Sequence, residues 1–316
     1  MSEPISPPSE GPLAPLHGAV PPAPAWFEKA VAQQPESAFV DVEGARIHFL
    51  RWGARTKPGL LLVHGNAAHA YWWSFIAPWL AREYNVAAMD MSGMGDSDRR
   101  HSYSMELFAE EQLAVCSAAG MFETAEPPVI AAHSFGGFVT MLTGALYGDR
   151  LAGTVIIDSP VNPPERGRAG PPKREIKPHK IYSTLPDALA RFRLLPPQSC
   201  DNLYLVDWVA RHSLKQVDGG FTWKFDPAIW QDFSIGDTAA RLKATKCRIA
   251  IFRGENSVLM PPEIGEYMFN LLGRAAPVVE IPQAQHHVML DEPLAFVAAL
   301  RALLADWNHS VATRRV

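Results

Sequence analysis

The chain has 316 residues, of which 47% are hydrophobic and 20% charged, and its formal net charge is −4. This composition supports a sizeable buried core, arranged as one large domain or as a core domain that carries an insertion. No basic block stands out, so nucleic acid and anionic membrane surfaces are not expected partners. The three cysteines, Cys116, Cys200 and Cys247, are far apart, which argues against a disulfide framework or a CxxC-type zinc site.

The amino-terminal segment, MSEPISPPSEGPLAPLHG, is rich in proline and serine and lacks both a basic stretch and an apolar stretch. It therefore does not resemble a secretory signal, and no apolar run in the chain approaches the length of a membrane span. We expect a cytoplasmic protein without a membrane partner. Residues 1–25 are predicted to form a flexible, Pro-rich tail.

Strand signals follow the tail. The stretch AFVDVEGARIHFLRWG predicts two strands around a Glu43-Gly44 turn. Short apolar runs bounded by turn residues then predict strands that are buried on both faces. These runs are GLLLVHG (59–65), VAAMDM (86–91), PVIAAHS (128–134), TVIID (154–158), CRIAIFRG (247–254) and VVEIP (278–282). Helical patterns lie between most of them, which indicates an α/β fold with a mostly parallel sheet covered on both faces.

One stretch breaks this alternation. Residues 161–236 contain many prolines, three tryptophans and short helical patterns, but no convincing buried strand. We interpret them as a mainly helical cap inserted between two strands. The core would then comprise residues 26–160 and 237–316.

The strongest chemical signal is AAHSFGG at 131–137, where a buried strand leads directly into Ser134 and a glycine-rich helix start. Such a sharp strand-to-helix turn exposes a serine hydroxyl above the sheet edge, and it needs small neighbours because the turn is strained. The usual pattern is G-x-S-x-G, and here Ala132 takes the place of the first glycine. We predict that Ser134 is a nucleophile; an ordinary turn with an incidental serine is the alternative.

A serine hydroxyl needs a base to take its proton. The stretch IPQAQHHVMLDEP (281–293) follows the last predicted strand, where a loop can place an imidazole over the carboxyl edge of the sheet. We predict that His286 is this base. His287 is interpreted as a structural neighbour.

The stretch LLVHGNAAHAYWW (61–73) supplies a further element. The backbone N–H of Asn66, beside that of Phe135, would form an oxyanion hole for a tetrahedral intermediate. We expect His69 and Trp73, with Trp208 of the insertion, to line the substrate pocket. Packing against the core is the alternative role for at least one of the tryptophans.

In this order, the motifs HGN at 64–66, DMSGMGDSD at 90–98, HSFGG at 133–137 and QHH at 285–287 resemble those of the α/β-hydrolase fold family. The resemblance covers about residues 38–308 apart from the insertion. It implies an eight-stranded sheet, a cap inserted after the sixth strand, and a catalytic set in the chain order serine, acid, histidine.

The acid of this set has two candidates. The family most often carries it a few residues after the glycine of the seventh strand, but Ser257 and Val258 stand there in GENSVLM. Two other carboxylates are available: Asp158, at the end of the sixth strand, and Glu255, directly after Gly254. We favour Asp158, and Glu255 remains the alternative.

These residues predict a serine hydrolase that cleaves small, largely apolar carboxylic esters through an acyl-enzyme, with no metal and no organic cofactor. An amidase, a lactonase or a perhydrolase would use similar chemistry. Epoxide hydrolases and haloalkane dehalogenases need an aspartate nucleophile, and position 134 is serine. A receptor-like protein with weak turnover is the alternative from another class, supported only by the missing acid.

Overall fold

A computed structural model describes residues 11–166 and 178–310 of the chain. Its main feature is an eight-stranded sheet in the order β1-β2-β4-β3-β5-β6-β9-β10, with a separate two-stranded hairpin, β7-β8. The strands are β1 Glu36–Val42, β2 Ala45–Trp52, β3 Gly59–Val63, β4 Asn85–Met89, β5 Val129–His133, β6 Gly153–Ile157, β7 Leu214–Val217, β8 Gly220–Trp223, β9 Arg248–Gly254 and β10 Val278–Ile281. Strand β2 is antiparallel to both of its neighbours, and the pairs from β4 through β10 are parallel. The predicted α/β architecture is confirmed.

Helices cover both faces of this sheet. They are α1 Ala25–Val31, α2 Ala77–Leu80, α3 Met105–Ala118, α4 Phe135–Tyr147, α5 Leu185–Leu189, α6 Leu203–His212, α7 Thr238–Lys243, α8 Pro262–Leu271, α9 Val288–Asp291 and α10 Pro293–His309. Single turns of 3-10 helix lie at Ala14–Leu16, Ala70–Trp73, Gly148–Arg150, Pro164–Arg166 and Pro227–Trp230. Within the described ranges, no helix combines the length and the apolar character that a membrane crossing requires.

The central strands are buried on both faces, as their continuous apolar sequences predict. Every residue of β3, β4, β5 and β6 is buried. Because successive side chains of a strand point to opposite faces, Leu60 and Leu62 of β3 join one hydrophobic cluster while Leu61 and Val63 join the other. Because β3, β5 and β6 run parallel, their carboxyl ends lie at a common edge of the sheet. His64, Ser134 and Asp158 follow these three strands at that edge.

The insertion between β6 and β9 contains helices, as predicted for the cap, and also a hairpin that the sequence analysis did not identify. Besides α5 and α6 it contains the β7-β8 hairpin, which pairs further with Tyr182 through a single bridge. An Asp218-Gly219 turn joins the two strands, and this dipeptide is a typical hairpin signal. Most side chains of the hairpin are half-buried or exposed. Its strands therefore need no continuous apolar run, which is the signal that predicts a buried strand. Cap residues 167–177 lie outside the described residues, and the predicted domain boundaries remain predictions.

The predicted flexible tail also needs correction for its described part. The N–H of Gly11 donates to the carbonyl of Ala190 at 2.7 Å. Leu13 is only 2% exposed and belongs to the same hydrophobic cluster as Leu189 of α5. Residues 11–25 therefore pack on the cap, because one leucine among many prolines provides an apolar anchor. Residues 1–10 lie outside the described residues.

Several histidines at the carboxyl edge of the sheet are buried. They include His64 after β3, His133 at the end of β5, and His287 before α9. Burial disfavours the charged imidazolium, so the pKa of His64 is lowered and the pKa values of His133 and His287 are lowered well below 6.5. These side chains are held neutral in the folded protein.

The packing of the amino-terminal segment predicts a stability effect. Leu13→Ala should lower the free energy of unfolding by about 2–3 kcal/mol, because it removes a buried side chain and leaves a cavity. Val20 is 71% exposed, so Val20→Ala should change it by no more than about 0.5 kcal/mol. Urea denaturation of the three proteins measures this difference. Equal stabilities would show that the segment is not anchored.

The buried histidines predict that stability falls in mild acid. Their folded pKa values lie below 6.5, so below that pH the unfolded chain takes up protons that the folded chain does not. Each imidazole should lower the free energy of unfolding by about 1 kcal/mol between pH 6.5 and 5.5. Urea denaturation across this range should show a weaker dependence in His287→Phe and an unchanged one in the control Ser102→Ala, at an exposed position without an ionisable side chain. An unchanged dependence in His287→Phe would contradict the neutral, buried imidazole.

Candidate active site

Ser134 lies on a strained turn between β5 and α4. Its backbone has φ 52° and ψ −119°, a region that non-glycine residues rarely occupy. The turn is held by hydrogen bonds on both sides: the Ser134 N–H donates to the carbonyl of Ile157 at 2.9 Å, and the Ser159 hydroxyl donates to the Ser134 carbonyl at 2.8 Å. The strain is thus stabilised by β6 and by the residues that follow it.

The glycines after Ser134 are required by close contacts. A Cβ atom on Gly136 would lie 2.4 Å from the carbonyl oxygen of His64, and one on Gly137 would lie 2.0 Å from the hydroxyl oxygen of Ser159. Ala132, which replaces the first glycine of the usual pattern, is fully buried within a hydrophobic cluster. The structure therefore accommodates a methyl group before Ser134 but no side chain at the two glycines after it.

His286 connects Ser134 to a carboxylate. Its Nε2 lies 3.0 Å from the Ser134 hydroxyl oxygen, and its Nδ1 lies 2.8 Å from Oδ1 of Asp158. Because the carboxylate accepts a hydrogen bond from Nδ1–H, Nε2 carries no proton and can accept the proton of the serine hydroxyl. His286 is 1% exposed, so these two contacts are shielded from water. This is the arrangement that general-base activation of a serine requires.

Asp158 is fully buried and directly follows β6 with φ 46°. Its Oδ2 accepts the N–H of Gly254 at 2.8 Å, and its Oδ1 accepts the hydroxyl of Ser257 at 2.6 Å as well as the His286 proton. These donors take the place of water around the carboxylate. Ser257 stands where the family resemblance places an acid, and it supports Asp158 from that position.

Glu255 does not reach this network. Its side chain is exposed, and its Oε2 accepts the N–H of Gln283 at 2.7 Å. Gln283 has φ 63°, so the carboxylate stabilises a turn just before the histidine loop. Of the two candidate acids, the structure brings Asp158 to His286 and leaves Glu255 as a loop residue.

The turn after β3 lies against Ser134, as an oxyanion hole requires. A Cβ atom on Gly65 would lie 3.2 Å from the Cβ of Ser134. The neighbouring His64 holds this turn, because its Nδ1–H donates to the Gly65 carbonyl at 2.7 Å and its Nε2 accepts the Met91 N–H at 3.1 Å. Asn66 follows directly, and Phe135 is the first residue of α4, whose N–H has no acceptor within the helix. Their roles as donors remain predictions.

His133 has a supporting role that its position in the sequence only hints at. Its Nε2–H donates to the backbone carbonyl of His286 at 2.9 Å. Its ring lies 4.6 Å from the ring of His286 and 5.4 Å from that of His287. The ring of Trp72 lies 5.3 Å from the ring of His287. The loop that carries His286 is thus packed by buried aromatic and imidazole rings.

The three predicted pocket residues have packing roles in this structure. Trp73 is fully buried with its ring 6.2 Å from that of Phe296. The indole N–H of Trp208 donates to the Ser74 hydroxyl at 2.8 Å. His69 is buried, which lowers its pKa to about 3, and its Nε2–H donates to the Val209 carbonyl at 3.1 Å. The contacts of Trp208 and His69 attach the cap to the core, whereas Trp73 packs within the core.

A different aromatic group surrounds Phe135, the residue directly after Ser134. The ring of Phe135 lies 5.1 Å from that of Trp230 and 5.7 Å from that of Phe233. Trp230 and Phe233 are half-buried and come from the end of the insertion. The sequence analysis did not single out these two residues, although two aromatic side chains just before the core resumes are a usable signal.

Comparison with known proteins agrees with this architecture. Over 120 residues the chain is 28% identical to epoxide hydrolase 4 of Mus musculus, covering 37% of this chain and 32% of that protein. It is 29% identical over 136 residues to N-formylmaleamate deformylase of Pseudomonas putida, covering 42% of this chain and 48% of the relative. The matches thus span about a third to a half of these relatives.

Solved structures extend the likeness to most of the chain. E-2-(acetamidomethylene)succinate hydrolase matches with a TM-score of 0.71 at 20% identity, over 86% of this chain and 100% of that one. An esterase from Mycobacterium tuberculosis matches with a TM-score of 0.67 at 21% identity, over 89% and 97%. At this identity the likeness shows the fold alone. The sequence model described as the alpha/beta hydrolase family matches residues 60–300. The chain therefore belongs to the alpha/beta hydrolase family.

Proposed function

We propose that the protein is a serine hydrolase that cleaves carboxylic esters through an acyl-enzyme intermediate. The observation that carries this proposal is the continuous set of contacts from Ser134 through His286 to Asp158, at 3.0 and 2.8 Å. In this set the base touches the nucleophile with one nitrogen and the acid with the other, as acyl transfer by a serine requires.

The reaction follows from these contacts. His286 Nε2 takes the hydroxyl proton as Ser134 attacks the ester carbonyl, and Asp158 stabilises the resulting imidazolium through Nδ1–H. The backbone N–H groups of Phe135 and Asn66 bind the developing oxyanion. His286 then returns the proton to the leaving alcohol. A water molecule, activated by the same nitrogen, releases the acid from Ser134.

The identity of residue 134 favours acyl transfer over the chemistry named in several relatives. Opening an epoxide or displacing a halide needs a carboxylate nucleophile, because the alkyl ester formed on it can be hydrolysed by water. Ser134 would instead form an ether, which water does not cleave under the same conditions. We therefore do not extend the epoxide hydrolase or haloalkane dehalogenase activity of these relatives to this chain.

The contacts of Asp158 also favour an enzyme over a receptor-like protein. The receptor alternative relied on a missing acid after the seventh strand of the sheet. Asp158 reaches His286 from the end of β6. Ser257, which stands after β9 where an acid was expected, donates its hydroxyl proton in a hydrogen bond to Asp158. The substrate class is proposed from Phe135, Trp230 and Phe233, whose aromatic rings favour an apolar acyl or alcohol group near Ser134.

Amide hydrolysis is a second candidate with specific support. N-formylmaleamate deformylase and E-2-(acetamidomethylene)succinate hydrolase are both named after compounds that carry an amide group. The same serine, histidine and acid would serve, with His286 protonating a leaving amine instead of an alcohol. Comparing matched p-nitrophenyl esters and p-nitroanilides separates the two reactions.

The proposal predicts multiple turnover of p-nitrophenyl esters. We expect Ser134→Ala to lower kcat by at least about 10³-fold, because the nucleophile is removed. Esters of increasing acyl length, assayed by release of p-nitrophenolate, measure kcat and KM for both proteins. Ser102→Ala, at an exposed position, serves as the control. Turnover that survives in Ser134→Ala would contradict the proposed nucleophile.

The acid assignment predicts opposite results at two positions. Asp158→Asn should lower kcat by about 10³- to 10⁴-fold, because the amide no longer favours the required imidazole tautomer. Glu255→Gln should change kcat by less than about threefold, because the side chain is exposed and its carboxylate accepts the N–H of Gln283 instead of contacting His286. The reverse pattern would assign the acid to Glu255.

A double variant sharpens this prediction. The Ser257 hydroxyl lies 2.6 Å from Asp158 Oδ1, so a carboxylate at position 257 would approach the same side of the histidine. We expect Asp158→Asn with Ser257→Asp to recover at least about tenfold of the activity lost in Asp158→Asn alone. Ser257→Asn in the same background, which lacks the charge, should recover none. Equal activities of the two double variants would contradict a relocated acid.

A further inference from the structure

A second set of serine, histidine and carboxylate lies on the antiparallel edge of the sheet. The hydroxyl oxygen of Ser37, in β1, lies 2.9 Å from Nε2 of His48, in β2. The Nδ1 of His48 lies 2.7 Å from Oδ2 of Asp90, which follows β4. The contacts have the same atom order as those from Ser134 to Asp158. They are not used in the proposed reaction.

The Asp90 carboxylate is held in place and charged. It is 1% exposed, and it accepts the N–H of Ala70 at 2.6 Å and the N–H of Asp96 at 2.9 Å. Burial opposes its ionisation, but the hydrogen bond from His48 outweighs this effect, and the pKa of Asp90 is lowered to about 2. An ionised Asp90 accepts a hydrogen bond from the Nδ1–H of His48. The Nε2 of His48 is then free to accept the hydroxyl proton of Ser37.

The serine of this set is open to solvent while its partners are not. Ser37 is exposed, whereas His48 is 3% exposed beneath the surface. Beside them the ring of Phe39 is 44% exposed and lies 5.0 Å from the ring of His48. The guanidinium of Arg46 lies 4.4 Å from the centre of the Phe39 ring. A reagent that approaches Ser37 therefore meets an apolar ring beside a cation.

This set is separate from the Ser134 site. In the sheet, β1 and β5 are separated by the three strands β2, β4 and β3. At about 4.8 Å per strand spacing, the two strands lie roughly 19 Å apart. A reagent bound at one serine does not reach the other, so the two reactivities can be measured independently.

We propose that Ser37 is a second reactive serine, which is acylated by carboxylic esters with good leaving groups. The Ser37 oxygen forms a bond to the acyl carbon as the bond from that carbon to the leaving oxygen breaks. The hydroxyl proton passes to His48 Nε2 and leaves with the alcohol or phenol. Ser37 lies within a strand and not at the start of a helix, so its adduct lacks the helix-start N–H that we propose for Ser134. We expect it to accumulate on the protein.

The test uses the full chain with Ser134→Ala, treated with p-nitrophenyl acetate. Intact mass and peptide mapping over time give the rate of acetylation at each serine. We expect one acetyl group on Ser37, added on the order of 10² times faster than at exposed Ser102 in the same sample. Acetylation at Ser37 that is no faster than at Ser102 would overturn the proposal.

A base variant separates activation from mere exposure. His48→Asn keeps an N–H donor near the position of Nδ1, and so keeps a bond to Asp90, but it has no Nε2. In the Ser134→Ala background it should slow the acetylation of Ser37 to the rate at Ser102. Unchanged acetylation of Ser37 in a folded His48→Asn protein, with an unchanged melting temperature, would show that His48 is not the base. Ser37→Ala alone should leave turnover at Ser134 unchanged.

Discussion

The hydrogen bond between His286 and Asp158 is the interaction on which the proposed chemistry depends. It determines which nitrogen of His286 carries the proton, and thereby which nitrogen faces Ser134. The bond requires a carboxylate at the end of β6 and a histidine after β10, and the two strands are brought together only through β9 between them. The sheet order is thus a condition of the chemistry, because it brings residues 128 positions apart within 2.8 Å.

The region around β9 shows how closely this geometry is supported. A Cβ atom on Gly254 would lie 2.1 Å from the carbonyl oxygen of Gln285, so the end of β9 and the histidine loop are in contact. The N–H of Gly254 and the hydroxyl of Ser257 both donate to Asp158. Asp158 and Ser134 are each held at a positive φ, the first by β9 and the second by β6. Packing of neighbouring strands therefore stabilises two strained backbone positions that place the reactive groups.

The sequence is sufficient to predict the fold and the positions of Ser134 and His286. The alternation of apolar runs with helical patterns predicted the strands, because strands buried on both faces need continuous apolar sequence. The positions of Ser134 and His286 after β5 and β10 followed from the rule that loops at the carboxyl ends of parallel strands share one edge. The choice between Asp158 and Glu255 needed coordinates, because both residues follow strands at that edge and only one side chain points inward.

Other features could not be read from local patterns. A tryptophan in the sequence looks the same whether its side chain lines a pocket or packs in the core. The packing of Trp73 involves Phe296 and that of Trp208 involves Ser74, and both partners are distant in sequence. The β7-β8 hairpin has no continuous apolar run, and the anchoring of Leu13 depends on a helix about 170 residues away. The contact between Ser37 and His48 likewise arises from the pairing of β1 with β2.

The most direct measurement of the central claim is the identity of the covalent intermediate. The protein would be mixed with a slowly hydrolysed p-nitrophenyl ester, quenched in acid during turnover, digested and mapped by mass spectrometry. The account predicts an acyl group on Ser134 that appears with the first release of p-nitrophenolate and decays as the ester is consumed. Turnover with no acyl group on Ser134, or with an acyl group that decays from another residue at the rate of turnover, would contradict it.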